Sequence, residues 1–194
     1  MEERQFIRFF SGTGDLRPSK ESWSGASFTS RKEEIYRYYY RYFKAYPRKS
    51  MDIIKRGVID IRKDTTLDDL QQLATLIERD YNISCFQIAI YRSNHEAHML
   101  FDCFDRVSKS NYRIHTTQMK HLYVLIIETL NLSVPMKDMI PLMRYYLYYI
   151  FKKDKNVFRN RLDVLKHLDL TPKAYRDEAI IHYYIEEVLR GRMK

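Results

Sequence analysis

Cys85-Phe86-Gln87-Ile88-Ala89-Ile90-Tyr91-Arg92-Ser93-Asn94-His95-Glu96-Ala97-His98-Met99-Leu100-Phe101-Asp102-Cys103-Phe104-Asp105 is the stretch whose reading decides the fold. Branched and aromatic side chains dominate both halves, and a polar run with Ser93-Asn94 separates them. Two strands, Ser84 to Arg92 and His98 to Asp105, are expected, joined as an antiparallel hairpin. The junction carries His95, Glu96 and His98. Side chains on a strand alternate between faces, so Glu96 and His98 point the same way if the second strand begins early enough. His95 faces away on a continuous strand, unless the Ser93-Asn94 turn rotates it back. Imidazole and carboxylate side by side are ligands for Mn, Mg or Zn, so this is where an enzyme would hold a divalent metal. The alternative is that His95 and Glu96 are exposed turn residues and His98 a satisfied strand histidine.

Upstream, Val58-Ile59-Asp60-Ile61-Arg62 has the length and branching of another strand, reached through a basic, Gly-containing link at Lys55 to Gly57. Thr65 or Thr66 then caps a helix in which Leu67, Leu70, Leu73, Ala74 and Ile77 recur at three- and four-residue steps, with Tyr81-Asn82 at its end. Ser11 to Ser30 reads as a polar loop or arm holding the single Trp, Trp23. Arg31 to Tyr46 reads as a helix, with Tyr36, Tyr39, Tyr40 and Phe43 as a core stripe and Tyr38 and Tyr42 beside Arg37 and Arg41 on the other side. Downstream, Gln118 to Leu130 is a helix with Met119, Leu122, Tyr123, Ile126 and Leu130 on one side. Pro135 and Pro141 bracket a break, and Leu142 to Lys153 forms a tyrosine-rich helix. Thr171-Pro172 opens a last helix that closes near Gly191 and either docks on the domain or pairs with a second copy as a homo-oligomer.

The order strand, helix, strand, strand, helix gives an α+β class: a mainly antiparallel sheet with helices packed on one face, plus helical N- and C-terminal extensions. The other face stays free for a substrate. The expected organisation is an N-terminal arm and helix at 1–56, an α+β core at 57–155 and a C-terminal helical extension at 156–194, folded as one compact domain.

The chain has 34 Lys and Arg against 25 Asp and Glu, a net charge of +9, and 17 Tyr. Basic clusters interleaved with aromatics suit backbone phosphates and unstacked bases. Arg31, Lys32, Arg37, Arg41, Lys55, Arg56, Lys153 and Arg159 are the candidate nucleic-acid contacts, although any one cluster can equally be a solvated helix face. No uncharged apolar run of about 18 residues occurs, and Met-Glu-Glu-Arg lacks a secretory pattern. The expectation is an intracellular protein, cytoplasmic or nucleoid-associated, with no membrane partner. Cys85 and Cys103, the only cysteines, exclude a four-cysteine zinc site and read as buried free thiols.

A cation beside a DNA phosphate polarises the phosphoryl oxygen while a separate nucleophile attacks phosphorus. Tyrosine phenolates can serve, and Tyr145, Tyr146, Tyr148 and Tyr149 lie downstream. Lys152 is three positions beyond Tyr149, on the same helical face. His115 and His121 flank the preceding helix.

Glu96-Ala97-His98-Met99-Leu100-Phe101, followed by Tyr149-Ile150-Phe151-Lys152, resembles the HUH endonucleases, the rolling-circle replication initiators and plasmid relaxases. The resemblance spans Val58 to Lys153. It implies a metal-dependent enzyme that nicks single-stranded or origin DNA and starts replication or transfer of a plasmid, virus or mobile element. Glu96 and His98 then take the two metal-signature positions, His95 is auxiliary, and Mn or Mg is the metal. Tyr149 is the implied nucleophile with Lys152 beside it, and Tyr148 and Tyr145 are the alternates. Glutamate here replaces the first signature histidine. Two other readings stand beside this one: a non-catalytic basic nucleic-acid-binding protein, and an all-helical interaction protein in which the hairpin is misread.

Overall fold

The computed structural model describes residues 5–48, 51–111, 114–142, Tyr145, Tyr146 and Tyr149. Their contacts divide into two compact units, Gln5–His115 with Glu128–Leu132, and a second that includes Thr116–Ile127 and the described residues from Ser133 onward.

The first unit is built on strands β1 (Arg8–Ser11), β2 (Ser22–Ser24), β3 (Ile54–Asp60), β4 (Ser84–Tyr91) and β5 (Glu96–Asp102), with helices α1 (Phe28–Phe43) and α2 (Leu67–Tyr81). The strands form one sheet in the order β1-β3-β5-β4-β2, each neighbour antiparallel to the next. The α+β class read from the sequence is therefore the one adopted, and an all-helical chain is excluded.

β4 and β5 are the expected hairpin. Arg92–Asn94 makes a single 3-10 turn and His95 follows in the left-handed region, at φ 54°. β5 thus begins at Glu96, two residues earlier than the apolar run suggests, and ends at Asp102. Phe104–Asp105 (β6) pairs instead with Ser110–Asn111 (β7) in a small separate ladder. β3 also starts earlier than expected. Lys55, Arg56 and Gly57 belong to it because a strand at half-open positions tolerates cations, whose stems lie along the sheet. Gly57 is needed there: a Cβ would come within 2.8 Å of Ile7 and 2.9 Å of Phe101.

The register sorts side chains to two faces. Ile59, Ala97, Met99, Ile88 and Ile90 share one face and are all buried. Helix α2 packs along β4 and covers this face, with Leu70, Leu73 and Ile77 fully buried. Its start is a capping box. The Thr66 side chain accepts from the Asp69 N–H, and the Asp69 carboxylate accepts from the Thr66 N–H. Asn82 ends it in the left-handed conformation.

Asp60, Val58, Arg56, Glu96, His98, Leu100, Tyr91, Ala89, Arg8 and Phe10 share the second face. Helix α1, capped by Ser27, covers only one end of it, where Ile35 packs with Ile53, Ile54, Phe86, Leu100 and Phe104. At the other end Arg8, Asp60, Glu96 and His98 are half-buried and Phe10 is exposed, while Val58 and Ala89 are buried.

The stretch Ser11 to Ser30, read as a loop or arm, supplies the edge strand β2 and the last residue of the other edge strand, β1. Gly12 N–H and Gly25 N–H extend the pairing through Ile54 and Phe86 carbonyls. Strands of three and four residues held by backbone hydrogen bonds need no hydrophobic alternation, so nothing in their composition announces them.

Helix α3 (Thr116–Thr129), whose residues Thr116–Ile127 belong to the second unit, buries every residue from Leu122 to Ile127. α4 (Met136–Met139) follows Pro135. Cys85 and Cys103 are free and buried, and burial pushes the Cys103 thiol up to about 12.

Candidate nucleic-acid interface

Antiparallel pairing aligns side chains in rows across β3, β5 and β4. Asp60, Glu96 and Tyr91 form one row, and Val58, His98 and Ala89 the next. Edge strand β1 brings Arg8 opposite Val58. The Arg8 guanidinium NH2 then donates to Glu96 Oε1 at 2.8 Å and to Asp60 Oδ1 at 3.2 Å. Two carboxylates converge on a single nitrogen.

Glu96 uses its other oxygen on His98, with Oε2 and Nε2 3.4 Å apart. The imidazole is also met edge-on by the Tyr91 ring, centroids 4.6 Å apart, and the Tyr91 hydroxyl donates to the Arg17 carbonyl at 2.8 Å. Burial draws the His98 pKa below its ordinary value. Its Glu96 partner works in the opposite direction, and the Arg56 and Arg8 charges reinforce burial. His98 is therefore a neutral group near pH 7 that can accept or donate one hydrogen bond.

Beside it, Arg56 lies over the Phe10 ring at 5.5 Å, and Phe10 is 46% exposed. Arg56 Nε is buried with no hydrogen-bond partner. This part of the face thus offers the Arg56 guanidinium beside an exposed phenyl ring and a neutral imidazole, while the Arg8 charge is matched by Glu96 and Asp60.

The structure brings Glu96 and His98 together, as strand alternation predicts. His95 is exposed at the turn, its carbonyl accepting from Ile61 N–H. Among the described residues no three His, Cys, Asp or Glu side chains gather as a metal site requires, so Glu96 and His98 stand as a pair. The cation beside them is Arg8.

The proposed basic contacts occupy different environments. Arg31 pairs with Glu34 at 3.0 Å and lies over Phe86, and Lys55 pairs with Asp52 at 3.3 Å. Lys32, Arg37 and Arg41 are exposed on α1. Tyr38, read from the sequence as facing outward, packs edge-on against Phe104 and donates its hydroxyl to the Arg106 carbonyl. Tyr40 and Phe43, read as core, are each 46% exposed. α1 is anchored by Ile35, with Tyr36, Tyr38 and Tyr39 packed against the same cluster, so Tyr40 and Phe43 are left outside it.

The backbone is helical at Tyr145 and Tyr149, which belong to the second unit. Tyr145 meets the His121 ring edge-on at 4.9 Å, and the Lys120 ammonium lies 5.9 Å from its centroid. Tyr148, Lys152, Lys153 and Arg159 lie outside the described residues, as does the C-terminal helix expected from Thr171 to Gly191.

Arg8, Phe10, Asp60 and Tyr91 were not singled out in the sequence. Asp60 and Tyr91 follow from extending the hairpin alternation across to β3. Arg8 and Phe10 carry no such signal, since Arg8 meets Glu96 across 88 positions of sequence. No protein-family model matches the chain, and no curated protein or solved structure matches it.

Proposed function

We propose that the chain binds single-stranded nucleic acid at the β1–β3 edge of the sheet, on the face bearing Arg56 and Phe10. One observation carries the reading. Arg56 and Phe10 sit as a half-buried cation and an exposed ring on strands β3 and β1 at the edge of the sheet, on the same face as Arg8, His98 and Tyr91. A guanidinium suits a phosphate, and a half-exposed ring suits an unstacked base. The net charge of +9 adds long-range attraction.

Fluorescence anisotropy with labelled single-stranded and duplex oligonucleotides tests it. Arg56→Gln should weaken binding and flatten the dependence of log affinity on log salt by about 0.7, the value of one phosphate contact on a single strand. Phe10→Ala should cost about 1–3 kcal/mol of binding and leave the salt slope unchanged. Affinity for single strands that is no greater than for duplex, or variants that bind like wild type, would refute the assignment.

A second reading is nicking of single-stranded DNA by a tyrosine, supported by the Glu96–His98 pair on the central strand. A Tyr149 phenolate would attack phosphorus, and the P–O3′ bond would break to leave a free 3′ hydroxyl and a 5′-phosphotyrosine. Mn or Mg, if held by Glu96 and His98, would supply charge stabilisation at the phosphate; His95, exposed at the turn, does not gather with that pair. The ion would compete with Arg8 for Glu96. Incubation with single strands and Mn, followed by a denaturing gel, should show a covalent adduct that Tyr149→Phe and His98→Ala abolish. No adduct from wild type, or one that persists in Tyr149→Phe with the neighbouring tyrosines also changed, would discard this reading.

A further inference from the structure

We infer that the C-terminal end of α1 is a second platform for unpaired nucleobases, separate from the sheet face, so that one strand of nucleic acid engages both. The inference rests on the single-strand reading above. Four large aromatic side chains within seven residues are exposed: Tyr40 at 46%, Tyr42 at 48%, Phe43 at 46% and Tyr46 at 68%. Such a concentration on one helix end is unusual for a surface that only meets water.

The rings are ordered. Tyr40 and Tyr46 stack with centroids 5.1 Å apart and planes at 29°, a spacing that presents outer π faces to a third ring. Tyr42 is already committed, with the Lys109 ammonium 4.2 Å from its centroid. Phe43 packs on the Tyr39 ring at 4.5 Å, and Tyr46, though tilted against Tyr36 at 6.3 Å, keeps 68% of its surface exposed, which leaves the Tyr40–Tyr46 stack to accept a base.

Charge selects the partner. Between Glu34 and Asp52 the sequence has no acidic residue, while Arg37, Arg41, Lys44 and Arg48 are all exposed. Glu34, at the rim of the open depression beside Tyr40, is held by Arg31 at 3.0 Å and Arg106 at 3.1 Å. The local field is positive. An anionic lipid surface would also satisfy the cations, but from Tyr36 to Tyr46 the only aliphatic side chain is Ala45. Interleaved rings and guanidinium groups without aliphatic side chains suit stacked bases and phosphates better than acyl chains.

The test uses the full-length chain with single-stranded oligonucleotides of increasing length, and vesicles containing anionic lipid. Tyr40→Ala with Tyr46→Ala should weaken binding of long oligonucleotides about tenfold or more while leaving the shortest binding oligonucleotide unaffected. Tyr40→Phe with Tyr46→Phe should bind like wild type, because the phenyl ring still stacks. Arg56→Gln, by contrast, should weaken binding at every length. If the Ala pair binds all lengths like wild type, the α1 platform is wrong while the sheet face stands. If the Ala pair loses vesicle binding alone, the surface belongs to a membrane and the inference falls. If wild type binds no oligonucleotide, both assignments fall together.

Discussion

Burial beside Tyr91 holds the His98 imidazole below its ordinary value, while the Glu96 carboxylate pulls the other way and Arg56 adds to burial. Two substitutions should therefore move its midpoint in opposite senses. Glu96→Gln removes the group that favours the charged ring and lowers the midpoint, whereas Arg56→Gln removes a repelling charge and raises it. Titration of the imidazole ring protons by NMR reads both. The same depression makes His98 favour the fold when neutral. Its contribution is present above about 6.5, the unfolded value, and is lost as pH falls towards the lower folded value. His98→Gln should flatten the fall in unfolding free energy over that acid range, and an unchanged slope would mean that the ring is not the group responsible.

At the scale of elements, Arg106 ties α1 to β5. Its guanidinium donates to the Asp102 carboxylate at 3.0 Å and to Glu34 at 3.1 Å, and Asp102 is buried with Phe104 N–H as a further donor. Burial raises the Asp102 pKa, and the Phe104 N–H and Arg106 oppose that rise. Arg106→Met leaves a buried carboxylate with one less partner and should cost about 1–3 kcal/mol at neutral pH, the lower part of the range because Arg106 is partly exposed. The loss should shrink towards pH 4, because a raised carboxyl pKa favours the fold at low pH and ceases to do so as pH rises through it. Urea unfolding at the two pH values separates this from simple loss of packing. Thr66→Ala, which breaks the capping box of α2, should cost about 1 kcal/mol and lower Tm by roughly 2–4 °C.

These elements also show what the sequence could disclose. The α2 boundaries were readable because its cap, its apolar stripe and Asn82 agree. The β4–β5 hairpin was readable because branched and aromatic residues dominate both strands. The first residues of β3 were not, since Lys55-Arg56-Gly57 imitates a linker and becomes a strand only beside Ile7 and Phe101. The Tyr-rich helix α1 misled in part because periodicity counts a phenol as apolar, although its hydroxyl makes an exposed position equally comfortable.

Across the whole molecule, the pairing of Glu96 with His98 followed from alternation alone, but the rest of the site did not. Arg8, Phe10 and Arg56 come together through the order of strands, which no local pattern fixes. The affinity expected of the two aromatic and basic surfaces should fall steeply with salt, and a flat dependence between about 50 and 200 mM would deny phosphate contact at either.

The two edge strands come from the first stretch of described chain, yet their partners are β3 and β4, and Arg8 closes on a residue 88 positions later. In synthesis order β1 and β2 must wait for the strands that follow them. Such long-range closure slows folding, so a stage with the central three strands paired and both margins bare is the one most exposed to pairing with a neighbouring chain.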